Sequence, residues 1–247
     1  MMNPNTDDFN RDVVAPVECL KESWALIKDQ YWLFLGICVV GMMLGSAFAL
    51  VLMGPMMCGI YLCLFQRMRG EQVSFDTVFK GFDYFAQSVI ATLIQAIPAV
   101  VIVFLVYLIM GFGMFASMAT ASQRGGEGAA MAGFLVTMIT VFLVIMSLSI
   151  LLGVFFIFTF PLIVDRKLSG VDAIKMSVKA AMANFRGVLG LVLLNALLSI
   201  CGALACYVGA FFIIPITVTA HAVAYRRVFP EMAPGIMSPP PPPASWA

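Results

Sequence analysis

Apolar positions recur along this chain at two scales. At the short scale, Val17, Leu20, Trp24, Ile27 and Tyr31 fall at steps of three and four, with Glu18, Lys21, Glu22, Lys28 and Asp29 between them. Steps of three and four place side chains on one helix face, so the spacing predicts an amphipathic helix. The same spacing returns at Val171, Ile174, Val178, Ala181 and Phe185, with Asp172, Lys175 and Lys179 on the polar side. A third copy runs through Phe75, Val78, Phe82, Phe85 and Val89. The outer two copies share letters as well as spacing. VECLKES at 17–23 returns as VDAIKMS at 171–177, and Gly36 and Gly190 fall in the same ungapped register. Each copy opens on a helix-start signal: Pro16 suits a first turn, Ser74 is a good N-cap ahead of Asp76, and Ser169 to Asp172 resembles a capping box.

At the long scale, each amphipathic segment leads into an apolar run. Residues 32–66, 84–123, 128–164 and 187–225 contain no Asp, Glu, Lys or Arg. A bilayer crossing needs about 20 apolar residues. The chain is 62% hydrophobic and 11% charged, against about 45–50% and about 25% in soluble domains. A mean hydropathy of +1.01 agrees. The fold class is therefore an all-α, polytopic membrane helical bundle. Basic residues collect at the ends of the runs, at Lys28, Arg67, Arg69, Lys80, Arg166, Lys167, Arg186, Arg226 and Arg227. The positive-inside rule puts all these ends in the cytoplasm. Six crossings in three hairpins follow, near 32–48, 50–67, 86–117, 130–163, 187–205 and 208–226. The turn at 122–128 is external and both termini are cytoplasmic. The first hairpin leaves about 17 residues per helix, the lower limit for spanning, so a re-entrant pair is the alternative there.

The three amphipathic segments then lie in the plane of the cytoplasmic interface, each ahead of its own hairpin. Trp24, Tyr31 and Trp32 suit the aromatic belt. Residues 1–15 read as a disordered polar tail, 16–230 as the membrane domain, and 231–247 as a disordered Pro-rich tail. That tail could also dock in an aromatic groove through Trp246.

Charge and motifs narrow the function classes. The net charge is +1, which gives no basic field for a nucleic acid. No ionisable carboxylate or amine falls within a span, which argues against a carboxylate-based ion pathway. The candidate polar positions are Asn195, Ser199, Thr217 and the single histidine, His221. They predict either an interhelical hydrogen bond or a proton-linked path. Gly41, Gly45 and Ala49 form a small-residue ridge for close helix packing or a dimer face. Pro98 and Pro161 are candidate kinks, and Pro55 and Pro215 start or kink their helices. The six cysteines read as packing thiols. Phosphate-binding, zinc-protease and serine-hydrolase motifs are missing, so no enzyme, cofactor or metal is expected.

Four features carry a resemblance: the amphipathic lead, Gly54-Pro55 opening a second span, the segment FPLIVDRKLSGVDAIKMS at 160–177, and the ending AYRR at 224–227. The chain resembles a broad group of uncharacterised bacterial integral membrane proteins, similar to the membrane domain attached to some glycerophosphodiester phosphodiesterases. The resemblance covers residues 16–230. It implies a six-helix domain in a bacterial inner membrane. It carries over no phosphodiesterase activity, which in those enzymes belongs to a separate soluble domain. The expected role is a non-enzymatic scaffold or accessory membrane component, with a carrier or channel for a neutral or amphiphilic solute as the alternative. Expected partners are membrane lipids, and a second copy or another protein met through the in-plane helices or the Pro-rich tail.

Overall fold

The computed structural model describes residues 9–47, 51–124, 127–204 and 208–230. In chain order it comprises α1 (Pro16–Ile27), a 3-10 turn (Lys28–Gln30), α2 (Tyr31–Ala47), α3 (Met53–Met68) and a 3-10 segment (Phe75–Tyr84). Then come α4 (Phe85–Arg124), α5 (Glu127–Phe156), α6 (Thr159–Arg166), α7 (Gly170–Ala183), α8 (Phe185–Leu204) and α9 (Val208–Val228). No strand occurs among the described residues. Five helical stretches are long and apolar enough to cross a bilayer: Pro16–Ser46, Phe75–Ala119, Met131–Arg166, Phe185–Leu204 and Gly209–Val228. The chain is a multi-pass helical membrane protein.

The span expected at 50–67 is not among the five. α3 has sixteen residues, a rise of about 24 Å, short of a hydrocarbon core of about 30 Å. Ten of those residues are buried within the protein, so α3 is the interior helix of the bundle. Its first turn meets α4 early: a side chain on Gly54 would overlap the Ser88 carbonyl and the Thr92 hydroxyl. Most of α4 therefore extends past this contact.

Six helices close a ring. α2 packs on α3, α3 on α4, α4 on α5, α5 on α8, α8 on α9, and α9 returns to α2. The three amphipathic segments each dock on the helix pair that precedes them in this ring. The 3-10 segment lies chiefly on α3, with α2 and α4 at its edges, α7 chiefly on α4, α5 and α6, and α1 on α9 and α8. The placement of α1 closes the cycle, because the first segment of the chain packs on its last pair.

The repeated heptad has the same burial in both copies at every position but one, where Glu22 is exposed and Met176 is buried. Ser23 and Ser177 are fully buried, as are Cys19 and Ala173, and Ile27 and Ala181. Val17 and Val171 are exposed. α2 and α8 start in matching register at Tyr31 and Phe185. The docking face is the expected apolar stripe turned by about one step round the helix. Its later members Ile27 and Ala181 dock, and the rest of the contact is made by small residues, Cys19, Ser23, Ala173 and Ser177, which let backbones approach closely. Val17, Trp24 and Val171 of the expected stripe face outward. The middle copy is a 3-10 segment, in which residues three apart line up. Phe79, Phe82 and Phe85 form one exposed row, while Thr77, Val78 and Gly81 turn inward.

Two glycines make that inward contact possible. A side chain on Gly59 would overlap the Val78 carbonyl, and one on Gly81 would overlap the Pro55 carbonyl. Of the prolines, Pro98 sits inside an unbroken α4. Pro161 follows a real break between Phe156 and Thr159, since it has no N–H for the carbonyl of Ile157. Ser177 bridges this break. Its hydroxyl donates to the Phe155 carbonyl at 2.7 Å and accepts from the Phe158 amide at 3.2 Å. Pro55 lies in the first turn of α3, and Pro215 lies inside α9.

The described part of the N-terminal lead lies against the body. Residues 9–15 are packed rather than a free tail. The Asn10 amide donates to the Val228 carbonyl at 2.8 Å. Asn184 donates to the Asn10 carbonyl at 3.0 Å and accepts from the Val13 amide at 3.3 Å. Val14 is buried, and the Phe9 ring packs at a tilt against Phe229, centroids 6.0 Å apart. These bonds satisfy backbone groups that a polar lead would otherwise leave to water. Residues 1–8, Ala49 and the Pro-rich tail at 231–247 lie outside the described residues, as does the centre of the turn expected at 122–128.

Beyond the closed body, α4 and α5 pack on each other as a long arm. A side chain on Gly113 would overlap Thr137, and one on Gly133 would press on Ser117. The outer faces are apolar and open: Phe104, Tyr107, Phe112, Phe115, Phe134 and Phe142 are all exposed. A soluble monomer rarely leaves a contiguous apolar patch beyond a few hundred Å². Both helices of this arm belong to stretches long and apolar enough to cross a bilayer.

The glycine contacts give a direct test. Gly59→Ala should lower the thermal midpoint of the detergent-purified protein by many degrees, because only backbone movement would relieve the overlap. Gly36→Ala, with open space around it, should leave the midpoint unchanged or raise it slightly. Equal midpoints for the two variants would contradict this packing.

Candidate functional site

The sequence places its candidate polar positions on α8 and α9, and the structure brings two of them together. The Asn195 amide nitrogen and His221 Nε2 are 2.9 Å apart. An Asn195 donor requires His221 Nε2 to accept, which puts the ring proton on Nδ1. Ser199 stands on the same face but donates to the Asn195 carbonyl of its own helix at 2.9 Å. Thr217 likewise turns back to the Ile214 carbonyl. So only Asn195 and His221 join helices. Asn195 Oδ1 is buried without a hydrogen-bond partner. None of the three surface grooves described in this structure is lined by these four residues.

The other candidates fall on packing surfaces. Gly41 faces Ile60 and Gly45 faces Met53, so these two glycines form the α2–α3 contact within one chain. Trp24, Tyr31 and Trp32 form a run of rings with centroids 5.6 and 5.9 Å apart, continued to Phe212 at 6.2 Å. Trp32 is 73% exposed. The Tyr31 hydroxyl donates to the Phe212 carbonyl, on the turn of α9 before Pro215. Cys19, Cys38, Cys58, Cys63 and Cys201 are free thiols, the first four buried. Among the described residues no three His, Cys, Asp or Glu side chains gather as a metal site.

The densest chemistry lies where α3, α6 and α9 end. Tyr225 is fully buried and donates to Asp165 Oδ2 at 2.7 Å. Arg226 reaches Asp165 Oδ1 at 2.9 Å and lies over the Phe65 ring, 4.4 Å from its centroid. Arg166 lies 4.8 Å over the Phe229 ring. Phe65, Phe158 and Phe229 pack round Tyr225 at centroid distances of 5.6, 6.3 and 5.0 Å. The side chains of Arg226 and Asp165 are only 14% and 19% exposed. A charge pair this sheltered persists because hydrogen bonds and ring faces replace lost water.

A second set of charges ties α1 to this junction. Arg227 spans Glu18 at 2.9 Å and Glu22 at 2.6 Å. Arg67 donates from Nε to the Leu26 carbonyl at 3.0 Å and meets Asp29 at 3.3 Å. α1 therefore runs antiparallel along α9, from Arg227 towards Phe212. Between the two helices and the end of α3 lies a groove of about 400 Å³, lined by Glu22, Leu26, Met68, Val223, Arg226 and Arg227. In the sequence these arginines serve only as topology markers. Their partners were hidden because Glu18, Asp165 and Arg227 are far apart along the chain. The available signal was the acid in the exit VDRK at 164–167, an unusual place for a lone carboxylate.

Comparison with protein-family models, curated proteins and solved structures found no match for this chain.

The two charge sets should respond differently to substitution. Asp165→Ala leaves a sheltered guanidinium without its carboxylate and should cost about 3 kcal/mol of stability. Glu22→Ala removes a half-exposed partner and should cost less than about 1 kcal/mol. The Asn195→Ala and His221→Ala variants should show a coupling of about 0.6 kcal/mol in a double-mutant cycle. Denaturant unfolding in mixed micelles reads all of these. A coupling of zero would mean that the Asn195–His221 bond does not form.

Proposed function

We propose that this chain is a non-enzymatic scaffold or accessory component of a bacterial inner membrane, built to hold a closed helical body at the cytoplasmic face. The observation that carries this reading is where the polar side chains go. Asn195 and His221 bond to each other, and Ser199 and Thr217 bond to their own helices. The extensive open surface is the apolar outside of α4 and α5. A conduit for a neutral or amphiphilic solute would turn polar groups towards a shared path; here they are used for packing. The likeness to the membrane domain of some phosphodiesterases fits this reading, since there too the chemistry belongs elsewhere.

In the topology we infer, every basic helix end faces the cytoplasm except Arg124, whose external turn is offset in charge by Glu127. The α4–α5 and α8–α9 pairs cross the bilayer, and the α2–α3 pair enters and returns. The length of α3 and its early contact with α4 support the last point. α1, the 3-10 segment and α7 then line the cytoplasmic interface. Their outward apolar residues, Val17, Trp24, Phe79, Phe82 and Val171, meet lipid, and their small residues meet protein.

Two measurements test this reading. Single cysteines at Ser46, Arg124, Lys167 and Leu204 in a cysteine-free chain, probed in intact cells with an impermeant thiol reagent, should label at 124 and 204 only. Labelling at 46 as well would establish six crossings in three hairpins. Separately, proteoliposomes should show no protein-dependent glycerol influx by light scattering. An influx abolished by His221→Ala would replace the scaffold with a carrier or channel.

A further inference from the structure

The groove between α1, α3 and α9 has a composition that the scaffold reading leaves unused. Its volume is about 400 Å³, within the usual range of about 300–1,000 Å³ for small-molecule sites. Arg226, Arg227 and Glu22 supply charge, and Leu26, Met68 and Val223 supply an apolar wall. The groove stands at the end of the molecule where the apolar runs give way to charge. Trp24, on the outer face of α1 two residues from Leu26, is 49% exposed. Indole rings of this kind collect at the headgroup layer of a bilayer.

The charge balance selects the ligand. Arg226 is held by Asp165, and Arg227 by Glu18 and Glu22. Arg166 adjoins Asp165 at the same junction, so three guanidiniums and three carboxylates balance. This set has no cationic surplus, so a simple anion gains no net attraction there. A ligand carrying both signs does. Arg227 uses one terminal nitrogen for each glutamate, and a guanidinium offers five N–H donors, so it retains capacity for a phosphate oxygen. Glu22, half-exposed at the groove, can accept from a primary ammonium. The apolar wall would then take the start of an acyl chain.

We propose that this groove binds one zwitterionic aminophospholipid. Its phosphodiester lies against Arg227 and Arg226, its ammonium against Glu22, and its glycerol and first methylenes against Leu26, Met68 and Val223. Choline phospholipids fit less well, because a quaternary ammonium has no N–H to donate. The proposal rests on this end of the molecule facing a headgroup layer. The cysteine labelling above tests that placement independently, and lipid binding in micelles does not depend on it.

The test uses the full chain in maltoside micelles with equal mole fractions of dioleoyl phosphatidylethanolamine, phosphatidylglycerol or phosphatidylcholine, read by native mass spectrometry. The expected result is one saturable phosphatidylethanolamine per chain, bound about tenfold more tightly than either of the others. Leu26→Trp fills the groove without touching a charge and should remove that site, with its thermal midpoint checked to confirm folding. Met68→Trp serves the same purpose if Leu26→Trp does not fold. Glu22→Gln should bring phosphatidylethanolamine down to the phosphatidylcholine level and leave phosphatidylcholine binding unchanged. Three results would overturn the proposal: adducts that rise without saturation and ignore both tryptophan variants, preference for phosphatidylglycerol, or displacement by millimolar inorganic phosphate. The first would mean annular lipid only, and the other two would mean a plain anion site.

Discussion

The hydroxyl of Tyr225, donating to Asp165, fixes the point on which the rest of this fold depends. Three helices that are remote in sequence end here, and each delivers a group that only the others can satisfy. α6 brings a carboxylate, α9 brings the tyrosine and Arg226, and α3 brings the Phe65 ring beneath that guanidinium. A lone carboxylate in such a place would be costly to desolvate, and so would a lone guanidinium. Together they define one geometry, because displacing any helix leaves a sheltered charge without its partner. The ring of helices can close because two of its members, α3 and α9, are pinned with α6 at a common place.

From this junction outward, side-chain size is sorted in the reverse of the soluble pattern. Where α1, α7 and the 3-10 segment meet the body, most of the contacting residues are small: Cys19 and Ser23, Ala173 and Ser177, Thr77 and Gly81, beside the larger Ile27, Met176 and Val78. The large apolar residues of the same segments, Trp24, Phe79 and Phe82, look outward. In water this arrangement would forfeit the main driving force for folding. Against lipid it forfeits little, since acyl chains are as apolar as any core. Association then relies on close backbone approach and on hydrogen bonds. Gly59 against the Val78 carbonyl and Ser177 across the helix break show both devices at work.

This sorting explains what could be read from the sequence. Periodicity located all three amphipathic segments, and the letters of VECLKES and VDAIKMS fixed their register to the residue, down to the matched starts of α2 and α8. Periodicity could not say which side of each helix faced protein. Spacing ranks positions by hydrophobicity, and in a bilayer the most hydrophobic side need not be the buried one. The Asn195–His221 bond was legible as one of two outcomes because both residues stood out in an apolar run. The Asp165–Arg226 pair was not. Its members lie on separate helices, and charges at the end of a span look the same in sequence whether they face water or each other.

The duplicated heptad also explains why the chain can close on itself. A segment that docks on the pair before it has no partner when it comes first, unless the last pair returns to meet it. α1 finds that partner in α8 and α9, and Arg227 clasps Glu18 and Glu22 across the join. In α7 the equivalent of Glu18 is Asp172, whose carboxylate instead accepts from the hydroxyl of Ser169, the N-cap of its own helix. The two copies thus share a docking face and differ at the acid. One acid finishes a helix, and the other seals the seam between the ends of the chain. The seam is also where the mixed-charge groove opens. Helices joined there by exposed ion pairs, rather than by an aromatic core, leave room between them that the rest of the body does not.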